Sequence, residues 1–251
     1  IVASRGGRQG TPFVLTNRIG RVELTERSVT IDVAVPYLAV TPIADVVTRA
    51  EQIAQACCAE GTAIEGAEVR EIDLCADLAG ATFSEADCAA FVGRLRKTKA
   101  WRFDMDRGAD AMILRGLHVG GRKAPLHFAL YDKTAELAQK RGAGAHQADD
   151  ERARWQANEW DGHGQVWRAE FRPRRAGLTA YGLRDPAKLA DRIDPAWQAF
   201  TRRELRLVDL GTATRRERCG LDPRWAELQS ASLVQPGALP ADREHAPRHG
   251  A

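Results

Sequence analysis

Tyrosine is scarce in this chain: 251 residues hold three, Tyr37, Tyr131 and Tyr181. Chemistry that needs a phenol therefore has few places to reside. Cysteine occurs five times (Cys57, Cys58, Cys75, Cys88, Cys219), an odd number with no Cys-x-x-Cys and no Cys/His array. That argues against a disulfide framework and against a structural zinc site, and leaves buried thiols in a reducing compartment as the default reading. No stretch approaches the roughly 20 apolar residues of a membrane span. No charged segment followed by an apolar run and a small-residue cleavage site is visible. The expectation is a cytoplasmic protein with no membrane partner, provided no leader lies upstream. The first residue is Ile1, so the natural N-terminus is expected to be missing.

Charge of one sign is not in large excess. Lys plus Arg number 37 and Asp plus Glu 34, for a net charge of +3. Its distribution says more. Only six of the cations are lysines, and arginine suits phosphate contacts. From Arg168 to Arg218 there are 13 basic and 7 acidic residues, a local excess of +6. Such a face is an electrostatic footprint for nucleic acid, and equally the surface of a salt-bridged helical region.

Periodicity divides the chain into strands and helices. Residues 1–12 are rich in Gly and Arg and are expected to be flexible. Gly20–Leu24 and Ser28–Val35 alternate about a polar turn and predict a hairpin. Pro42–Ala59 follows helical spacing, with Val46, Val47, Ala50, Ile53, Ala54 and Cys57 on one face. Ser84, followed three residues later by Asp87, starts a predicted helix that runs to about Lys97. Trp101–Asp106 and Ala111–Val119 predict an antiparallel pair. A helix is expected over 134–140, a loop over 141–150, and a short helix over 151–160. Helical pieces are expected at 178–183, 186–193, 195–208 and 213–219. The proline- and histidine-rich tail from about 236 is predicted disordered. The fold class expected is α+β: a mainly antiparallel central sheet with helices packed on one face and a more helical C-terminal part. The expected domain spans 13–218, with 219–251 as an extension.

Three strands have a polar face of unusual content. In Pro125–Glu136, Leu126, Phe128 and Leu130 alternate with His127, Tyr131 and Lys133. In Val69–Leu78, Ile72, Leu74, Ala76 and Leu78 alternate with Glu71, Asp73, Cys75 and Asp77. In Val166–Arg172, Trp167, Ala169 and Phe171 alternate with Arg168, Glu170 and Arg172. Each alone reads as the wet face of an antiparallel sheet. In one sheet they would gather carboxylates, a tyrosine and several cations on one side, a surface fit for chemistry on a phosphate.

These same segments, Arg70 to Gly80, Leu130 to Glu136 and Val166 to Arg175, resemble in order and spacing the replication initiation factor family. Its members are rolling-circle initiators of plasmids and phages, with relatives that act as relaxases of integrative elements. The resemblance covers roughly residues 65–210. It implies nicking and rejoining of origin DNA through a phosphotyrosine, with Tyr131 matching the family's Tyr-Asp-Lys element. His127-Phe-Ala departs from the more basic approach to the tyrosine expected there. No His-hydrophobe-His pair exists in the chain, which argues against the histidine-pair relaxases.

A phenol is a poor nucleophile at its free pKa of about 10 and needs help. Mg²⁺ or Mn²⁺ held by one to three carboxylates would neutralise phosphate charge, with Asp73, Glu170 and Asp77 as candidates. Asp73 and Asp77 would lie about 13 Å apart on an ideal strand, so Asp73 with Glu170 is the favoured pair. Lys133 is expected on the tyrosine's face, and Asp132 as the cap of the following helix. Arg168, Arg172, Arg202, Arg203 and Arg206 are candidate DNA contacts. The partners expected are duplex origin DNA with a single-stranded or hairpin nick site, a host helicase, and a second copy in a homodimer. Two other readings compete: a DNA-binding protein on this scaffold without cleavage, and a metal-dependent phosphoesterase in which Tyr131 is structural.

Overall fold

The computed structural model describes residues 2–5, 13–17, 19–58, 63–95, 101–108, 112–121, 123–141, 143–158 and 160–234. The expectation of a disordered tail falls outside them. The chain is α+β and divides into two compact units.

The first unit takes in Ile1–Ile72, Pro173–Ala196 and Leu233–Gly237. Its sheet is an antiparallel meander of β1 (Val2–Arg5), β2 (Phe13–Thr16), β3 (Gly20–Leu24) and β4 (Val29–Val33). The predicted hairpin is β3–β4, and a strand also forms within the segment expected to be flexible. After the short α1 (Val35–Leu38), α2 (Ile43–Cys57) sets Val46, Ala50 and Ile53 around the same small cavity as Ile31 and Val33 of β4. This unit also holds α6 (Arg175–Ala180), and α7 (Leu189–Ala199) starts in it.

The second unit takes in Asp73–Arg172, Trp197–Ser232 and Ala238–Ala251. Its five-stranded sheet has the order β5 (Leu74–Ala79), β10 (Val166–Pro173), β9 (Leu126–Asp132), β8 (Met112–Val119), β7 (Trp101–Arg107). The β5–β10, β8–β9 and β7–β8 pairs are antiparallel. The three strands singled out by their polar faces are thus neighbours, β5–β10–β9. Their apolar alternates make the core: Leu74, Leu78, Leu126, Phe128, Leu130, Trp167 and Phe171 are all buried. Aromatic rings fill the space beyond, with Phe128 packed 4.8 Å from Phe171 and Phe91 5.5 Å from Trp225 between centroids.

Helix α8 (Pro223–Ser230) closes this core with the fully buried Trp225 and Leu228. It is pinned by Arg224, which bonds Asp87 at 2.6 Å and lies over the Phe83 ring. It also bonds one π-helical turn, Phe200–Glu204. That turn frees the carbonyl of Thr201, which accepts from Trp225 Nε1 and Gln229 Nε2, each at 2.8 Å. A buried carbonyl left unpaired would cost stability, so the wide turn and α8 depend on each other.

Several expectations are corrected. The Ser84 capping box forms, but α3 (Glu85–Cys88) stops there rather than near Lys97. Phe91–Val92 is instead strand β6, paired with β11 (Arg206–Leu207). Gly93 permits this close approach: it has φ +141°, and a Cβ there would sit 2.4 Å from the Glu204 carbonyl oxygen. For the same reason the predicted helix over 195–208 ends at Glu204. The expected loop over 141–150 belongs mostly to helix α5 (Ala143–Ala157), an alanine-rich run of good helix formers. At 213–219 only a short 3₁₀ turn forms, Arg216–Arg218. Strand β5 begins at Leu74, leaving Asp73 just before it.

Trp225→Ala would leave a large cavity and remove one of the two hydrogen bonds to the Thr201 carbonyl. We expect a loss of about 3–5 kcal/mol, read from urea denaturation.

Candidate active site

The β5–β10 register decides which polar residues meet. Arg168 stands opposite Asp77 and Glu170 opposite Cys75. One further step along sets Arg172 beside Asp73, with Arg172 Nε 3.2 Å from Asp73 Oδ2. The face is thereby split into two halves.

The half at Asp77 is sealed. Arg168 donates through Nε and one terminal nitrogen to the two oxygens of Asp77, at 2.6 and 2.7 Å. Trp155 Nε1 donates to Asp77 Oδ2 at 2.8 Å. Glu151, on the same side of α5 as Trp155, accepts from Arg168 at 3.2 Å and pairs with Arg154. Asp77, Glu151 and Arg168 are all buried. Burial acts to raise the Asp77 pKa, but the charge and hydrogen bonds of Arg168, with Trp155 and Arg154, outweigh it and hold the carboxyl below its usual range. Asp77, a candidate metal ligand, thus has both oxygens engaged by side chains. Arg168, a candidate DNA contact, has its guanidinium turned into the protein under α5. Glu151 and Trp155 both fall within the helix expected over 151–160, but neither was singled out as a partner of the sheet face. Their i, i+4 spacing was the available signal.

The other half collects the remaining candidates. The Tyr131 hydroxyl donates to Glu170 Oε2 at 3.1 Å. Glu170 Oε1 accepts from Arg172 Nε. Arg172 also holds Asp73, so one guanidinium bridges the two carboxylates. Tyr131, Glu170, Arg172 and Asp73 form one connected group. Burial first, then the negative charge of Glu170, raise the Tyr131 pKa well above that of a free phenol. Cys75, opposite Glu170, is pushed up to about 11 by burial, so its thiol stays protonated at neutral pH.

Lys133 lies outside the strand, as the first residue of α4 (Lys133–Gln139). Its side chain is buried, pairs with Glu136, and places Nζ 5.6 Å from the centre of the Tyr131 ring. Asp132 caps α4 through the Ala135 N–H at 2.9 Å, as expected, and also binds Arg115 at 2.6 Å. Arg115 is the residue displaced by a bulge in the β7–β8 pair. On the β8 side of Tyr131 the partner is Gly116, where a Cβ would lie 3.4 Å from the tyrosine's own Cβ. Two residues on, His118 Nε2 is 2.8 Å from Asp104 Oδ2, and its ring packs near His127. Arg202 and Arg203 are exposed on the π turn, while Arg206 donates to the Glu217 carbonyl.

Two carboxylates converging on one cation have the right chemistry for Mg²⁺ or Mn²⁺, which keep water and phosphate oxygens at their other positions. Among the described residues no group of three or more His, Cys, Asp or Glu is placed to hold a metal. Asp73 and Glu170 are two carboxylates, and they meet at the Arg172 guanidinium.

The fold is similar to that of a solved structure. A rolling circle replication initiator protein from Geobacillus stearothermophilus superposes with a TM-score of 0.51 at 12% identity, over 94% of this chain and 82% of that one. No family model and no curated protein matches the sequence. At that identity the likeness is one of fold. Among the described residues no helix is long and apolar enough to cross a membrane.

Two outcomes follow from the geometry. Arg168→Met leaves Asp77 and Glu151 buried with one fewer cation, and should cost about 3–5 kcal/mol by chemical denaturation. Tyr131 has its folded pKa raised, so its contribution is full below the unfolded value of about 10 and fades as pH rises above it. Tyr131→Phe should therefore lose less stability than the parent between neutral pH and strongly alkaline pH, measured as melting temperature against pH.

Proposed function

We propose that this chain nicks and rejoins DNA as a rolling-circle replication initiator, with Tyr131 as nucleophile. The observation that carries the reading is the Tyr131–Glu170–Arg172–Asp73 group on one face of the sheet. The fold shared with a protein described as a rolling circle replication initiator supports it.

The phenol oxygen of Tyr131 attacks the phosphorus of a DNA phosphodiester. Its proton passes to Glu170 Oε2, which already accepts that hydrogen bond. The bond from phosphorus to the 3′-oxygen breaks, the departing oxygen takes a proton from water, and the products are a free 3′-hydroxyl end and a 5′-phosphate esterified to Tyr131. Rejoining is the reverse transfer, with Glu170 returning the proton. Because the phenol is held protonated, a base in direct contact is required, and Glu170 is within reach. Lys133 over the ring adds positive charge beside the developing ester. Asp73 and Glu170 Oε1 would hold a divalent cation, which supplies charge neutralisation at the non-bridging oxygens.

Arg172 and the exposed Arg202 and Arg203 are the candidates of the first reading that remain able to meet DNA phosphates. The DNA partner is an origin whose nick site is single-stranded or presented on a hairpin. Dimerisation and a host helicase belong to the same reading.

Tyr131→Phe should keep the fold and DNA binding and abolish both strand cleavage and the covalent protein–DNA species. Mass spectrometry of the parent adduct should place the 5′-phosphate on the peptide containing Leu130-Tyr131-Asp132. Its appearance on Tyr37 or Tyr181, or undiminished cleavage by the Phe variant, would overturn the assignment. Salt-dependent binding with no adduct from the parent would leave a DNA-binding protein without cleavage.

A further inference from the structure

Arg172 stands where a cation at Asp73 and Glu170 would stand. Its Nε faces a carboxylate oxygen of each residue. Glu170 is only 7% exposed in its side chain, whereas Arg172 is 51% exposed, near the end of β10. Arg168, four residues earlier, is 8% exposed and locked by two hydrogen bonds to Asp77. Of the two arginines on this face, Arg172 is the one with room to swing out.

A guanidinium and a divalent cation cannot share this position. Two positive centres about 4 Å apart repel by several kcal/mol at the dielectric of a protein surface. The carboxylates can serve one of them at a time. Once displaced, the guanidinium is a planar fork of donors matched to a phosphate, and the Tyr131–Glu170 hydrogen bond places the tyrosine's reacting oxygen in the same group.

We propose that Arg172 is a positioning residue that exchanges partners: it holds Asp73 and Glu170 together without metal, and on metal entry it is released to grip a phosphate of the DNA strand that Tyr131 attacks. The proposal rests on the metal reading of Asp73 and Glu170 given above. It makes metal binding and DNA binding cooperative through one side chain. Before metal enters, Arg172 contributes nothing to DNA affinity because the carboxylates occupy it.

The test uses the full chain with Tyr131→Phe as background, so that no strand is cut. Mn²⁺ affinity is measured by calorimetry, and binding of a single-stranded oligonucleotide by fluorescence anisotropy across a salt series, in Mn²⁺ and in EDTA. Adding Arg172→Gln should tighten Mn²⁺ binding by on the order of tenfold, since the competing cation is gone. In Mn²⁺ the same change should weaken oligonucleotide binding and lower the salt slope by about 0.7, the value of one single-strand phosphate contact. In EDTA it should change neither. Arg172→Lys keeps the charge but carries it at the end of a flexible stem instead of at Nε, where both carboxylates are met, and should fall between parent and Gln in Mn²⁺ affinity. It gives the same comparison if the Gln variant does not fold. Equal Mn²⁺ affinity in parent, Lys and Gln forms, with binding still lost on Asp73→Ala or Glu170→Ala, overturns the exchange and leaves the metal reading standing. The exchange also fails if Arg172 contributes equally to the salt slope in Mn²⁺ and EDTA. No Mn²⁺ binding by any form overturns both.

Discussion

The second unit is organised around the buried pairing of Arg168 with Asp77. A guanidinium and a carboxylate placed opposite each other on β10 and β5 must both give up water, a penalty their mutual attraction only partly offsets. The fold completes the compensation from α5, which brings Trp155 to the carboxylate and Glu151 with Arg154 to the guanidinium. The result is two positive and two negative groups with no excess charge. A helix that would otherwise face a sheet of charged residues can then lie on it. Cover at that end leaves the second polar group at the other: Tyr131, Glu170, Arg172 and Asp73 are left together because Arg168, Asp77 and Glu151 are consumed among themselves.

The contrast between the two ends is electrostatic. In the open group Asp73 and Glu170 share the Arg172 guanidinium. The phenol there has its proton held on by burial and by Glu170. The same features that make Tyr131 unreactive at rest give the proton a destination. In the proposed reaction the tyrosine is activated by what enters the site, and it stays protected while the site is at rest.

The alternation in Pro125–Glu136, Val69–Leu78 and Val166–Arg172 was enough to separate an apolar from a polar set in each segment, while their sharing one sheet entered only as a condition. The same alternation did not say that β5 and β10 pair with Asp77 against Arg168. Register is a tertiary property, and in it lay the difference between a DNA-facing arginine and a buried one. Lys133 illustrates another limit. It was assigned to the tyrosine's face by strand period, yet it starts a helix; it reaches the ring because its long stem folds back from the first turn. Helix α5 was expected only from about 151 and in fact begins at Ala143; Glu151 lay within the expected helix, but what its side chain meets across the sheet is again a tertiary property. The stop at Cys88 and the π turn both depend on β6 and β11 meeting at Gly93, contacts more than a hundred residues apart.

The unequal bracing of the β5–β10 pair also bears on how the strands move. At Asp77 the two chains are held by interlocked side chains under a helix, away from water. At Asp73 they are held by one half-exposed guanidinium, beyond the point where β5 begins. Local opening free energies follow such differences, with the solvated end fraying first. Amide protons around Leu74 and Arg172 are therefore expected to exchange with solvent through smaller excursions than those around Asp77 and Arg168. The group proposed to carry the chemistry thus sits on the less braced end of the pair.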